Sequence, residues 1–127
     1  MLQKTLKNIG VNEVYDLSYF NSLALHLSYH EFKERLLQSP KSTTKKGPKY
    51  NYHINMPILT SECPGWVCYA EKTVGDEAIP FMSKVKSPQQ LCGKIVKTHQ
   101  IVNIGLPNVK MVTIMPCYDK KLEAVRP

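Results

Sequence analysis

The sequence predicts an α/β domain, a parallel sheet flanked by helices, and two observations carry that prediction. The first is a pair of short apolar runs, Met56–Thr60 and Val109–Met115, each followed at once by a proline-flanked cysteine turn. The second is that segments of helical periodicity precede, separate and follow these runs, in the order helix–strand–helix–strand–helix–helix–strand–helix. If both runs are parallel strands of one sheet, Cys63 and Cys117 emerge at the same edge. Open α/β sheets place their ligands at that edge.

The elements follow in chain order. Leu2, Leu6 and Ile9 share a helical face, and Gly10 is suited to end that helix. Val11–Asp16 reads as a short strand. Tyr19–Leu37 carries Leu23, Leu27, Phe32, Leu36 and Leu37 at helical spacing, as one helix or two shorter ones. The polar stretch 38–55 is a long connection read as an insertion. Met56–Thr60 is the second strand, and Ser61-Glu62-Cys63-Pro64-Gly65 turns the chain sharply into a helix over Trp66–Val74 that stops at Gly75. Ser87-Pro88 opens the next helix, with serine at the N-cap and proline at the first helical position. Its apolar face runs through Leu91, Ile95 and Val102, and Gly105 and Pro107 break it. Val109–Met115 is the clearest strand, and a last helix begins near Lys120.

At 127 residues, with 43% hydrophobic and 21% charged residues, the chain fits one ordinary globular domain. No apolar stretch approaches the ~20 residues that span a bilayer. The amino-terminal lysines are followed by no apolar run, so a secretory signal is not expected. The expected compartment is therefore cytoplasmic or nuclear. Four cysteines without a CxxC pair argue against a disulfide framework, a zinc finger or a thioredoxin site. The net charge of +7 owes much to the run Lys41-Ser-Thr-Thr-Lys-Lys-Gly-Pro-Lys49. That composition describes a solvated loop before it describes a nucleic-acid surface, even with Tyr50 and Tyr52 nearby.

The chemistry centres on Cys63 and Cys117. Each thiol lies just before a predicted helix, where backbone N–H groups stabilise a thiolate, and Lys120 and Lys121 follow the second. Two soft donors far apart in sequence suit a metal or iron–sulfur site. The competing reading is a pair of small, inert, buried residues, and spacing does not choose between them. Cys68 and Cys92 fall inside predicted helices and read as core. His26 and His30 have metal-compatible i, i+4 spacing, but no third ligand is evident, so a solvated or core pair is the simpler reading. Ser61 and Ser87 lack the context of a nucleophile.

These residues also carry a resemblance. Thr60-Ser-Glu-Cys-Pro-Gly-Trp66 and Met115-Pro-Cys-Tyr-Asp-Lys-Lys-Leu-Glu123, with Ser87-Pro-Gln-Gln90 between them, resemble the ordered signatures of the large domain of iron-only hydrogenases. Cys63-Pro-Gly-Trp-Val-Cys-Tyr-Ala-Glu-Lys72 and Pro116-Cys-Tyr-Asp-Lys-Lys-Leu-Glu-Ala124 look closest to its hydrogenase-like branch, that of the nuclear prelamin A recognition factor and cytosolic iron–sulfur assembly factors. The resemblance implies one lobe of the large domain, truncated at both ends. It implies a [4Fe–4S] cluster held by four thiolates, of which Cys63 and Cys117 are two. The other cluster ligands would lie beyond Pro127, and the upstream cluster cysteines before Met1.

Active hydrogenases carry a second cysteine where this chain has Glu62, which implies a non-catalytic relative, although a carboxylate can also move protons. Lys120 and Glu123 match the family's Cys-x-x-Lys-x-x-Glu pattern, where the lysine helps hold a diiron unit in true hydrogenases. Here dipole compensation and surface charge are the alternative roles. The implied function is cytosolic iron–sulfur protein assembly, with proteins of the cytosolic targeting complex as partners. The competing functions are a hydrogenase lobe and a basic interaction module or inert truncated product. An exposed lobe surface implies self-association, and a dimer could supply Cys63 and Cys117 twice.

Overall fold

Helices form where the sequence supplies starts and stops. The computed structural model describes residues 2–38, 56–105 and 108–125; the basic run 41–49, Tyr50, Tyr52 and most of the expected insertion lie outside them. Helix α1 covers Leu2–Asn8, and Gly10 ends it at φ 97°, with the Val11 N–H donating to the Leu6 carbonyl at 3.2 Å. Only glycine takes that left-handed conformation without strain. Helix α2, Ser18–Gln38, is one continuous helix that starts where the Ser18 N–H donates to the Asp16 carboxylate at 2.6 Å. Helix α3, Pro64–Tyr69, runs on into a π-turn over Ala70–Val74, which ends at Gly75 (φ 63°) as the sequence predicts.

Two 3-10 turns, Gly75–Glu77 and Ile79–Phe81, lead towards α4, Pro88–Ile104. Ser87 caps α4 by accepting from the Gln90 N–H at 3.3 Å, and Gly105 terminates it at φ 72°. A 3-10 turn over Tyr118–Lys121 flows into the short α5, Leu122–Val125, so the last helical segment begins two residues before Lys120.

The predicted parallel sheet is not seen among the described residues. Among the described residues there is no strand, and the sole sheet-like pairing is a parallel bridge between Leu59 and Met82. Its two bonds are Leu59 N–H to the Phe81 carbonyl and Ser83 N–H to the Leu59 carbonyl, both 2.8 Å. The physical reason is the difference between pattern and partner. A parallel ladder needs a second backbone at about 4.8 Å along its length, and the described chain provides one for a single residue. In 109–115, Val109, Met111 and Met115 are half-buried while Lys110, Val112 and Ile114 are exposed, close to the alternation of a strand. Yet no described segment pairs with it as a strand. Residues 11–16 also form no ladder: Glu13 accepts bonds from the Tyr15 hydroxyl and, at 3.5 Å, from Gln100 of α4, which pins this stretch as a connection.

The core among the described residues is small, and α2 packs on α4. Phe20, Ala70, Ala78 and Cys92 are buried, along with Pro64 and Pro88, the first residues of α3 and α4. A polar hub completes the frame. Glu31 of α2 pairs with Arg35 at 2.6 Å, accepts from the Ser83 hydroxyl, and takes the Lys84 N–H at 3.1 Å. Arg35 donates to the Met82 carbonyl at 2.7 Å. The segment carrying the bridge is thereby clamped to α2 by side chains rather than by a sheet.

A candidate metal centre at two cysteine loops

The loops of the two thiols expected at a sheet edge are brought together by another route. Cys63 stands at the N-cap of α3 in extended conformation (φ −88°, ψ 110°), and its Sγ accepts from the Trp66 N–H at 3.5 Å. Its own N–H donates to the Ser61 hydroxyl at 3.0 Å, and its carbonyl receives the Val67 N–H at 3.1 Å. Pro64 then fixes the first helical φ and is buried. Cys117 precedes the 3-10 turn in the same way (φ −141°, ψ 124°), with its carbonyl accepting from the Lys120 N–H at 3.2 Å. Its thiol receives no capping bond, so only one of the two sulfurs has the N–H partner expected of both. Both thiols are free and exposed, against the reading of them as buried core.

Two contacts join the loops, and further bonds of Lys120 and Glu123 brace the second of them. The Lys120 ammonium donates to the Glu62 carbonyl at 2.5 Å, linking the residue before Cys63 to the third residue after Cys117. The same ammonium pairs with Glu123 at 3.1 Å, and the other oxygen of Glu123 accepts from the Ser87 hydroxyl at 3.0 Å. Finally, α3 packs on the 118–121 turn so closely that a Cβ on Gly65 would meet the Asp119 carboxylate at 2.6 Å. Glycine at this position is what lets the two turns touch.

Lys120 and Glu123 have side chains only 12% and 6% exposed, so this lysine is an internal strap rather than a surface charge. A pair so placed is sensitive to loss of either partner, because the survivor is left desolvated. Glu62 is exposed beside Cys63 and lines an open cleft of about 1200 Å³ together with Ser28, Leu59, Ser61, Lys86 and Glu123.

The other cysteines and histidines separate from this arrangement. Cys92 is 1% exposed inside α4 and burial pushes its thiol pKa up, so it is core as expected. Cys68 is half-buried within α3. His26 and His30 face each other on α2, His99 is exposed on α4, and His53 lies outside the described residues. Among the described residues, no group of three or more His, Cys, Asp or Glu could hold a metal ion. Cys63 and Cys117 are two exposed thiols on adjoining loops, half the number of thiolates that a [4Fe–4S] cluster requires. Sequence reasoning misses the Glu62–Lys120–Glu123–Ser87 chain of bonds. Its signal is the coincidence of a helix N-cap serine with a lysine and glutamate spaced i, i+3.

The whole chain, residues 1–127, matches the model of the family described as iron only hydrogenase large subunit, C-terminal domain. The chain belongs to that family. It is 45% identical over 123 residues to Protein NAR1 of Arabidopsis thaliana, covering 95% of this chain and 25% of that protein. It is 42% identical over 128 residues to the cytosolic Fe-S cluster assembly factor narfl of Danio rerio, covering 99% of this chain and 29% of the relative. The cytosolic iron-sulfur assembly component 3 of Mus musculus is 40% identical over 128 residues, again 99% of this chain and 25% of the relative. The chain thus spans about a quarter of the length of the curated relatives it matches. The Danio rerio and Mus musculus relatives are named for cytosolic iron–sulfur assembly. No described helix is long and apolar enough to cross a membrane.

Proposed function

We propose that this stretch of chain contributes Cys63 and Cys117 as two of the four thiolates of a [4Fe–4S] cluster, in a protein of cytosolic iron–sulfur assembly. The observation that carries the reading is the Lys120 strap, which holds the loops of two exposed, sequence-distant thiols against each other. Family membership and the names of the relatives support the assembly role. Partners are then other components of that pathway, among them its targeting complex, and the compartment is the cytoplasm.

The chain's own residues have definite tasks in this reading. Cys63 and Cys117 bind iron as thiolates, the Trp66 N–H stabilises charge on the first, and Gly65 and Lys120 set the loop spacing. The cluster, when bound, supplies one-electron redox capacity and a site for transfer or storage of iron and sulfide. Glu62 stands beside the first thiol as a carboxylate, which favours assembly over hydrogen chemistry.

The test is the content of iron and acid-labile sulfide per chain after anaerobic purification. Both are expected to fall in Cys63→Ser and in Cys117→Ser, and to stay at the parent level in Cys68→Ser. Unchanged iron in the first two variants overturns the assignment; no iron in the parent chain means that two thiolates do not hold a cluster without the rest of the four-thiolate set. Hydrogen evolution by the reconstituted parent chain would overturn the non-catalytic part alone.

A further inference from the structure

The histidine pair on α2 has no task in the cluster reading, and its geometry is specific. His26 and His30 are one helical turn apart, and their Nε2 atoms approach to 3.1 Å. The rings meet edge to face, with centroids 4.6 Å apart and planes at 71°. A shared proton accounts for this contact with one imidazole donating to the other. A metal ion accounts for it as well. Zinc-group ions bond to imidazole nitrogen at about 2.0–2.1 Å, so two cis ligands stand ~2.9 Å apart at a right angle and ~3.4 Å apart at the tetrahedral angle. The observed separation lies between those limits, so an ion could enter with little adjustment of either ring.

We propose that His26 and His30 form a two-nitrogen site for a late divalent transition metal ion, with water completing its coordination. Both residues are exposed, so an ion has access. No third His, Cys, Asp or Glu joins them among the described residues, which makes this an open site rather than a closed structural one. Imidazole donors exclude magnesium and calcium, which require oxygen. Affinity should follow the order nickel below copper, with zinc below copper too. A cleft of about 390 Å³ beside His30 sets Glu31 and Glu34 against Lys84 and Lys86. Fixed charge there neither traps nor repels a cation, so the selectivity belongs to the two rings.

The experiment is titration with Ni²⁺ alone, followed by nuclear magnetic resonance of the imidazole groups. It is run on the parent chain and on the Cys63→Ser/Cys117→Ser variant, in which the competing exposed thiols are gone. Below one equivalent, the paramagnetic ion should broaden the His26 and His30 signals together while His99 stays sharp. In His26→Gln the affinity should fall by at least the ~10-fold that even an outer partner of a metal site carries, with helix content unchanged by circular dichroism. Broadening of His99 to the same extent as the pair, or unchanged Ni²⁺ affinity in His26→Gln/His30→Gln, overturns the proposal. Because the variant lacks both cluster thiols, failure of the proposal there leaves the assignment of Cys63 and Cys117 untouched.

Discussion

The turns that carry Cys63 and Cys117 and the segment 108–115 that leads into the second of them share a chain but not a way of being held. The cysteine turns are fixed by named polar contacts: Lys120 to the Glu62 carbonyl, Lys120 to Glu123, and Glu123 to Ser87. Segment 108–115 has the composition of a strand, yet Val112 is 86% exposed and Ile114 75%. It touches the rest through its other side, where Met111 lies against α4 at Gly93. Short polar anchors therefore fix a site more locally than a sheet would, and they do so without requiring the ladder that β-branched residues favour. The comparison predicts that changes at the strap are costly and that changes on the bare side of the segment are nearly silent.

The largest effect should come from the strap. Lys120→Met removes the cation from a glutamate that is 6% exposed, leaving Glu123 with only the Ser87 hydroxyl. Breaking one side of a buried pair costs about 3 kcal/mol or more. Chemical denaturation should show that loss, and the double variant Lys120→Met/Glu123→Leu should recover most of it. A cost below about 1 kcal/mol, the range of surface pairs, would move the strap into the same class as the bare segment.

Next comes Glu31, which clamps α2 to the bridge segment. Burial pushes its carboxyl pKa up, but the bonds from Ser83, the Lys84 N–H and Arg35 outweigh this and leave it below the usual glutamate range. The folded value is thus lower than the unfolded one, so ionised Glu31 stabilises the fold above the ordinary carboxylate range. That contribution is lost as pH falls through the folded value. Glu31→Gln should cost roughly 2 kcal/mol at neutral pH, since bonds to a charged group are worth about 1.5–3 kcal/mol each and the amide keeps some of them. The gap between parent and variant should close as the pH falls below the ordinary glutamate range, through the lowered folded value. A gap that stays constant with pH would mean that packing, not the carboxylate, makes the clamp.

Much of this is legible in the sequence, and the limits are physical. Gly10, Gly75 and Gly105 each mark a helix end, because a stop that needs positive φ is written in a single residue type. Ser87 and Pro88 mark the start of α4 for the same local reason. The sheet is a false expectation because an apolar run specifies a conformation but not a neighbour, and among the described residues only Leu59 finds one, at Met82. The pairing of the cysteine turns follows from a different cause than the sequence suggests: Gly65 and Lys120 bring the turns together, not two adjacent strands. The contact between Lys120 and a backbone carbonyl 58 residues earlier has no local signal at all, since any exposed carbonyl could accept it.

Gly65 offers a finer probe of the same contact. In Gly65→Ala the new methyl group would stand 2.6 Å from the Asp119 carboxylate oxygen and 3.1 Å from its carbon, so that side chain must turn away. Alanine also favours the helix that Gly65 lies in, by up to about 1 kcal/mol. The two effects oppose each other, and the single variant should sit within about 1 kcal/mol of the parent. The informative quantity is the coupling. Adding Asp119→Ala should recover about 0.5–1 kcal/mol relative to the sum of the single changes, because residues in contact are non-additive on that scale. Strict additivity would mean that the two turns do not touch in solution.

The smallest effect is expected where the apolar surface is greatest. Val112→Thr and Ile114→Thr each keep a β-branched side chain, so the local preference for a strand-like backbone is retained while apolar area is removed from water-exposed positions. A side chain already three-quarters or more exposed has little transfer energy to lose, and such surface changes normally stay within about 0.5 kcal/mol. The measurement is the denaturation midpoint of the double variant beside that of Lys120→Met. If the double variant instead loses about 2 kcal/mol or more, on the order of a fully buried aliphatic pair, then these side chains are covered in solution. The bare segment would then be held as firmly as the cysteine turns, by apolar burial in place of a strap.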